Sequence, residues 1–340
     1  MKRVSNASLK LGCKTNATNL SFVSMSKLRI ALTTGDVDGI GFEVTAKALH
    51  HLGPQKNVQF ILWRVDGADS RYLKLIDKKW TRITVDSLEE ALKIEGPYLI
   101  DIASDLSPAE WVEISAKACL QKKIDGIATA PLSKTSIKEA GFKDLGHTDI
   151  LKRLSKVKHV NMGFVGEKFN VVLATAHVPI SKISKSLNFT VLAEALKNAD
   201  GLRKKLPPAQ SKKPIGVLGL NPHAGEKGLI GNEELLLFPQ LLNFAKENKI
   251  PMEGPLVPDA AFFESNWKRY SVYLTLYHDQ GLIPFKMIHG QDSGVHISLG
   301  IPFVRTSVDH GTAKDIFGKN IANPHSMIDS IRWAIKLARL

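Results

Sequence analysis

Short apolar runs alternate with longer amphipathic segments along most of this chain. The apolar runs predict buried strands, and the segments between them, with apolar positions three and four apart, predict helices. Strands are expected at residues 28–33, 58–63, 124–129, 169–175, 214–220 and 271–276. Helices are expected at residues 44–51, 108–121, 150–155, 190–205, 233–249 and 326–340. This alternation indicates an α/β protein with a largely parallel sheet.

Three of the apolar runs are each followed by a histidine, namely His177, His223 and His278. Ligands bind beyond the carboxyl ends of strands in open α/β sheets. Three neutral imidazoles with one open position suit zinc or a similar divalent ion. A single histidine at a strand end is more often structural, and the spacing alone does not decide between the two interpretations.

The densest polar cluster runs from Tyr277 to Lys286 and contains an imidazole, a carboxylate, a carboxamide and an amine. Taken alone, it could equally be a polar loop with a capping aspartate. Asp279 and Lys286 are both candidates for a general base. Asp279 could also orient a metal-bound histidine from outside the ligand set.

Two further segments offer groups for an anionic ligand. Residues 34–43 form a glycine-containing turn between a strand and a helix, where backbone N–H groups favour anions. Its spacing is not that of the dinucleotide fingerprint of Rossmann folds, so it predicts no Rossmann domain. Arg305 at a strand end offers a two-pronged clamp for phosphate or carboxylate, and the small polar residues after it suit a loop around a nucleotide.

Composition narrows the class of protein. With 340 residues the chain is expected to form two lobes. Five of its +13 formal charges lie in residues 1–27, which leaves +8 for the rest and suits anionic partners. Basic stripes interleaved with aromatics are missing, which argues against nucleic acid, and no apolar run reaches the ~20 residues of a membrane helix. Two cysteines cannot build a disulfide framework, so a cytoplasmic location is expected.

Residues 1–27 are rich in Ser, Asn and Lys and contain no acid. Organelle transit peptides have this composition. Met25 stands directly before the first strand, so a start codon assigned too far upstream explains the segment equally well. The segment is expected to be disordered or a mis-assigned extension.

From about Lys27 to the C-terminus, seven ordered blocks make the chain resemble the 4-hydroxythreonine-4-phosphate dehydrogenase family of pyridoxal phosphate biosynthesis. The blocks are Gly35-Asp36 with Gly39-Ile40-Gly41, Thr129-Ala130-Pro131 with Lys134, Gly146-His147-Thr148, Thr175-Ala176-His177, Leu220 to Glu226, Tyr277 to Gly281, and Arg305 to Ala313. Asp38 to Gly41 and His310 to Pro324 also resemble the isocitrate and isopropylmalate dehydrogenases.

The resemblance implies two α/β/α domains of the isocitrate/isopropylmalate dehydrogenase type with a non-Rossmann NAD site. The first domain would comprise residues 28–135 and 300–340, and the second residues 136–299, with the active site in the cleft. It also implies metal- and NAD-dependent oxidation of 4-phosphohydroxy-L-threonine at C3, followed by decarboxylation to 3-amino-2-oxopropyl phosphate. A homodimer with a shared active site is implied as well.

The resemblance also assigns residues to roles. The implied ligands of one divalent ion (zinc, magnesium or cobalt) are His177, His223 and His278. The implied substrate contacts are His147, Thr148, Lys286 and Arg305, with His296 where the family has an asparagine. The implied cofactor contacts, for NAD with NADP as an alternative, are His310, Gly311, Thr312, Asp315 and Asn323.

Departures from the family pattern keep other functions open. Besides His296, the first turn has Val37, Asp38 and Phe42 where the family usually has Pro-Ala and Pro. The enzyme could instead oxidise 4-phosphothreonate or 4-phosphoerythronate. Further alternatives are a non-catalytic metal- or nucleotide-binding relative and a phosphate acyltransferase.

Overall fold

Twelve strands join into one sheet in the computed structural model, which describes residues 27–290 and 293–340. The predictions for the N-terminal tail therefore lie, except for Lys27, outside the described residues. The strands are β1 (Leu28–Thr33), β2 (Val58–Val65), β3 (Arg82–Val85), β4 (Leu99–Ser104), β5 (Gly126–Thr129), β6 (Asn161–Val165), β7 (Val171–Leu173), β8 (Ile215–Leu218), β9 (Met252–Leu256), β10 (Val272–Thr275), β11 (Val295–Leu299) and β12 (Val304–Ser307).

Helices cover the sheet and connect its strands. They are α1 (Gly41–Leu52), α2 (Ser70–Asp77), α3 (Leu88–Ala91), α4 (Pro108–Leu120), α5 (Lys134–Glu139), α6 (His147–Ser155), α7 (Ile183–Ser186), α8 (Phe189–Lys204), α9 (Pro208–Ser211), α10 (Glu233–Glu247), α11 (Pro258–Ala261), α12 (Glu264–Trp267), α13 (His278–His289) and α14 (His325–Ala338). In addition, 3-10 turns occur at Ile180–Lys182, Pro222–Gly228 and Lys314–Ile316.

The strand order is β3-β4-β2-β1-β5-β12-β11-β6-β7-β10-β8-β9. The six strands from β3 to β12 are mutually parallel, and so are the four from β7 to β9. Between these groups, β11 is antiparallel to both β12 and β6, and β6 is antiparallel to β7. The expectation of an α/β fold with a largely parallel sheet is confirmed, with an antiparallel centre that the sequence pattern did not predict.

Burial explains why the parallel strands are almost wholly apolar. In β2, every residue from Val58 to Arg64 is buried, because helices pack on both faces of the sheet. One face carries α1 and α14, and the other carries α4, where Trp63 of β2 stacks on Trp111 with ring centroids 6.4 Å apart.

Individual segments differ from the sequence-based interpretations. The alternative that Tyr277 to Lys286 form a polar loop is wrong, since α13 begins at His278 and continues through Pro284. The expectation of Arg305 at a strand end is also wrong, since Arg305 is the second residue of β12. The strands β3, β4, β6, β9 and β11 were not predicted. Among the described residues, no helix combines the length and the apolar character that crossing a membrane requires.

Candidate active site

A cleft of ≈ 690 Å³ opens beside the antiparallel centre of the sheet. Its walls come from β6, β11, α13 and the loop after β12. The lining residues are Met162, Phe164, His278, Leu282, Lys286, Gly290, His296, Val308, Asp309, His310 and Gly311. The cleft therefore gathers residues from distant parts of the chain.

His177 and His278 follow β7 and β10, which are parallel neighbours in the sheet. Both strands end at the same edge of the sheet, and the ring centroids of His177 and His278 are 5.6 Å apart. Nδ1 of His278 lies 2.6 Å from Oδ1 of Asp279. Because an ionised carboxylate only accepts hydrogen bonds, this contact places the ring proton on Nδ1 and leaves the lone pair of Nε2 free for a ligand.

His223 follows β8, the other parallel neighbour of β10. It lies in the turn Pro222–Gly228, in which residues 223–227 all have positive φ. Glu234 of α10 holds this turn, since its carboxylate accepts the N–H groups of Leu220 and Asn221 at 2.7 and 2.8 Å. In the described part of one chain, no three His, Cys, Asp or Glu side chains form a group that could hold a metal ion. One chain thus brings two of the three predicted ligands together.

Arg305 is 2 % exposed, and among the described residues none of its hydrogen-bond partners is a carboxylate. It donates to Nδ1 of His296 at 3.0 Å, to Oγ of Ser298 at 3.2 Å and to Oγ1 of Thr129 at 2.8 Å. Its Nε–H group is buried and has no partner in the described part of the chain. Burial lowers the pKa of Arg305 to about 9. A buried cation without a counter-charge is costly, so this position favours an arriving anion.

His296 lies beside Arg305 in the cleft wall and is 8 % exposed. Since the guanidinium donates to Nδ1, the proton of the neutral ring is on Nε2, which is buried and has no partner among the described residues. Stacking on Phe164, with centroids 5.2 Å apart, fixes the ring plane. Burial, with the charge of Arg305, lowers the pKa of His296 well below its usual range, so the ring is neutral at pH 7.

The N-terminus of α6 contributes the predicted pair His147 and Thr148. Its N-cap is Gly146, which has no side chain to cap the first N–H groups of the helix. Such an end attracts anions. Nε2 of His147 is buried and has no partner within the part of the chain that the structure describes. Burial, together with the charge of Arg305, lowers the pKa of His147. His147, His296 and Arg305 therefore form one group of hydrogen-bonding nitrogens.

Lys286 lies on the same face of α13 as His278 and Leu282, at a spacing of four residues. Its Nζ atom is 3.3 Å from Oδ1 of Asp309 in the loop after β12. Burial raises the pKa of Asp309, and the charge of Lys286 offsets part of this shift. The pair joins α13 to the loop that carries the predicted cofactor residues.

That loop lies against the first glycine turn and α1. The N–H group of Ile40 donates to the carbonyl oxygen of Thr312 at 3.0 Å. A Cβ atom at Gly39 would lie 3.0 Å from the same oxygen, so the close approach requires glycine. Further along, the carboxylate of Glu43 accepts the N–H of Ala322, and Lys47 donates to the carbonyl oxygens of Asn320 and Ala322.

Within the loop, His310 and Gly311 line the cleft, whereas Asp315 lies in the 3-10 turn Lys314–Ile316. Asn323 accepts the N–H group of His325 at the start of α14. The predicted cofactor residues are thus spread along one loop, and two of them reach the cleft.

Sequence reasoning missed several residues of the site. Thr129 and Ser298 hold Arg305, Phe164 holds His296, and Asp309 pairs with Lys286. Two signals were available: Ser298 follows His296 by two residues and so shares its strand face, and Asp309 belongs to the block from Arg305 to Ala313.

Comparisons with known proteins show the family of the chain. A family model described as "Pyridoxal phosphate biosynthetic protein PdxA" matches residues 76–334. A 4-hydroxythreonine-4-phosphate dehydrogenase from a Sulfurihydrogenibium species is 36% identical over 326 residues, which is 92% of this chain and 99% of the relative. A D-threonate 4-phosphate dehydrogenase from Pectobacterium atrosepticum is 32% identical, covering 92% of this chain and 100% of the relative.

Solved structures give the same result for the fold. The crystal structure of a 4-hydroxythreonine-4-phosphate dehydrogenase from Klebsiella pneumoniae superposes with a TM-score of 0.76 at 29% identity, covering 93% of this chain and 99% of that chain. A β-decarboxylating dehydrogenase from Thermococcus kodakarensis gives a TM-score of 0.55 at 15% identity, covering 92% of this chain and 84% of that chain. The second likeness concerns the fold alone and agrees with the predicted dehydrogenase-type architecture.

Proposed function

Because the chain belongs to the PdxA family of pyridoxal phosphate biosynthetic proteins, we propose that it oxidises 4-phosphohydroxy-L-threonine at C3 with NAD and decarboxylates the product to 3-amino-2-oxopropyl phosphate. The chain is a dehydrogenase, as its relatives are. The substrate and the order of steps are those that the family resemblance implies.

The buried guanidinium of Arg305 has no carboxylate partner among residues 27–290 and 293–340, and this observation best supports an anionic substrate of this kind. A phosphate or carboxylate group would supply the missing counter-charge and accept the free Nε–H. Burial and the charge of Arg305 lower the pKa of the His147 ring at the uncapped end of α6, so this ring lies near the guanidinium. We therefore assign His147, Thr148 and Arg305 to one anion subsite, and Lys286 to a second positive group in the cleft.

The residues present fit a divalent metal ion with a preference for nitrogen ligands. His177 and His278 lie side by side, and the contact with Asp279 leaves Nε2 of His278 free. Neutral imidazoles suit zinc or cobalt better than magnesium, which prefers oxygen. Together with His223 they would hold one ion, which when bound would act as a Lewis acid on a substrate oxygen.

Asp279 then acts as the residue that orients His278 and not as the general base. Its carboxylate is engaged at 2.6 Å by the histidine, a contact typical of partners behind a metal ligand. The ion pair of Lys286 with Asp309 suits an ammonium group that binds an anion, so neither of the two candidates is proposed as the general base.

A homodimer would complete the metal site, since one chain groups only two of the three predicted ligands. Apolar side chains are exposed near the third ligand and on α13, and they suit a subunit interface. Leu229 is 85% exposed, Leu236 65% and Met287 77%. We propose that the histidine set is shared across this interface.

We also propose that two domains lie on either side of the cleft. The first comprises residues 28–135 and 300–340, and the second comprises residues 136–299.

For the cofactor, we propose that the loop containing His310, Gly311, Thr312, Asp315 and Asn323 binds NAD, with NADP as the alternative. The support is its place at the cleft and its attachment to α1 through Glu43 and Lys47. These contacts keep the loop close to the turn at Gly39, where the backbones touch.

The second candidate substrate is D-threonate 4-phosphate, and His296 is the observation that favours it. The free Nε2–H of His296 can only donate, whereas the asparagine of the family can both donate and accept. A donor of this kind accommodates a hydroxyl oxygen but forms no hydrogen bond with an ammonium group. Relatives named for D-threonate 4-phosphate are 32% identical to this chain.

Steady-state assays with NAD and NADP on 4-phosphohydroxythreonine, D-threonate 4-phosphate and 4-phosphoerythronate test the proposal. We expect the highest kcat/KM with the first substrate, and activity that disappears when a chelator removes all bound metal. Full turnover by the metal-free protein would contradict the metal assignment. A higher kcat/KM with D-threonate 4-phosphate that reverses in His296→Asn would establish the second candidate.

A further inference from the structure

We infer that Asp309 is a positioning residue that fixes the ammonium group of Lys286 in the active-site cleft. Neither the family resemblance nor the sequence pattern assigns Asp309 a role. The inference deepens the proposed function, because it rests on Lys286 being a substrate contact. It starts from the 3.3 Å contact between Nζ of Lys286 and Oδ1 of Asp309.

Asp309 is a rigid partner for this contact. Its side chain is 14% exposed. Its N–H group donates to Oγ of Ser326 at 3.0 Å, and Ser326 in turn donates to the carbonyl oxygen of Gly294 at 3.3 Å. Ser326 itself is 2% exposed, so the loop is tied to α14 and to the start of β11 at one buried point.

Lys286, in contrast, has a long, flexible side chain that is 50% exposed. Four rotatable bonds would let its ammonium group sample much of the cleft and the solvent beyond. A carboxylate fixed beside Nζ restricts that sampling and uses one of three N–H donors. The other two stay available for an anionic substrate group.

The arrangement also places the ammonium group relative to the histidines. Lys286 lies eight residues after His278 on one face of α13, about 12 Å along the helix axis. Asp309 contacts this ammonium group from a second element, the proposed cofactor loop, next to His310. The contact therefore holds the ammonium group between α13 and that loop.

A purely structural salt bridge explains these observations less well. An ion pair with a half-exposed lysine contributes little to stability, because solvent screens it. Burial works against the charge of Asp309 and raises its pKa. An arrangement that is costly for the carboxylate and of little use for stability is typical of a functional site.

A double-mutant cycle tests whether Asp309 acts through Lys286. Asp309→Asn keeps the shape and removes the charge, and Lys286→Met keeps the apolar stem and removes the amine. We expect Asp309→Asn to lower kcat/KM about tenfold, mainly through KM, and to have no further effect in the Lys286→Met background. Independent, multiplicative effects of the two changes would overturn the inference.

Conservative replacement and cofactor binding distinguish positioning from general damage. Asp309→Glu, which keeps the charge, should recover part of the lost kcat/KM. The Kd for NAD, measured by fluorescence titration, should be the same in wild type and Asp309→Asn. A rise in this Kd equal to the loss in kcat/KM would assign Asp309 to the cofactor loop instead.

A measurement that needs no turnover keeps this test separate from the proposed function. Pulse acetylation followed by peptide mass spectrometry reports the reactivity of Lys286. We expect severalfold faster labelling in Asp309→Asn, because the amine loses the carboxylate contact at 3.3 Å that holds it and becomes more accessible to the reagent. The matched control is Asp329→Asn, which breaks an exposed pair with Arg332 on α14 and should leave Lys286 unchanged. If no substrate is turned over, the proposed function fails and labelling still decides the role of Asp309; unchanged labelling overturns it.

Discussion

Arg305 carries a positive charge into the centre of the sheet, where Thr129, Ser298 and His296 take up its N–H groups but none supplies a negative charge. Asp309 is the complementary case, a carboxylate that is 14% exposed and pairs with a half-exposed cation. The charged form of each side chain is less stable in the free enzyme than in water. Each is therefore suited to bind or position something that arrives later.

Replacing Arg305 by Lys tests the first of these residues. The charge is kept, but a lysine cannot hold His296, Ser298 and Thr129 at once through a planar fork. We expect kcat/KM to fall roughly 100-fold, equivalent to about 2.7 kcal/mol of transition-state stabilisation. Steady-state kinetics measure the fall, and an unchanged kcat/KM would show that the fork geometry is not used.

The raised pKa of Asp309 predicts how stability depends on pH. The folded protein binds this proton more tightly than the unfolded chain, so its stabilising effect is complete below pH 3.8 and is lost as the pH rises through the raised pKa. Asp309→Asn stays neutral and lacks this loss. We therefore expect the urea midpoint of Asp309→Asn, relative to that of wild type, to increase between pH 4 and pH 7. A difference between the two midpoints that stays constant over this range would rule out the raised pKa.

At the scale of elements, α13 places both His278 and Lys286, and Gly281 sets how closely it lies on the sheet. A Cβ atom at Gly281 would lie 2.6 Å from Cγ1 of Val171 and 2.7 Å from Oγ1 of Thr275. The glycine is therefore a packing requirement and not a source of flexibility.

Gly281→Ala should shift α13 outward. Alanine favours a helix by about 1 kcal/mol over glycine, but overpacking of this kind costs about 1–3 kcal/mol. We expect a lower melting temperature, measured by calorimetry. We also expect a lower kcat/KM, measured by steady-state kinetics, because α13 carries both His278 and Lys286. The matched control is Gly201→Ala on α8, where a Cβ atom meets nothing within 4 Å and stability should rise.

The same helix shows why sequence reasoning reached only part of the fold. Strands such as β1 and β2 are continuous apolar runs and were predicted within a few residues. The helix α13 was not, because Gly281 and Pro284 are both unfavourable inside helices. The strands β6 and β11 pair antiparallel with each other, and their short, partly polar segments have no distinctive local pattern.

For the site, local pattern indicated His177, His223 and His278 because parallel strands bring their ends to one edge. Local pattern also indicated Lys286 and Arg305, and family resemblance added His147 and the assignment of all three as substrate contacts. The partners Thr129, Ser298 and Asp309 depend on which strands lie side by side, and only the tertiary structure gives that information.

At the scale of the whole molecule, the proposed sharing of the histidine set predicts complementation between inactive subunits. His223→Ala and His278→Ala should each lose bound metal and activity. Mixed after dissociation and reassociation, they should recover about a quarter of wild-type activity, because half of the dimers are mixed and each has one intact site. No recovery, with mixed dimers confirmed by native mass spectrometry, would place both ligands in the same subunit.

The sheet passes without a break from β12 to β11, through the wall of the active-site cleft. The backbone hydrogen bonds of the two halves are therefore one ladder, and separating the halves requires breaking it at the pairs His296–Ser307 and Ile297–Thr306. In calorimetry, heat should melt residues 28–340 in one cooperative transition, with equal calorimetric and van't Hoff enthalpies. Two resolved transitions would mean that the halves unfold as separate units in spite of their common sheet.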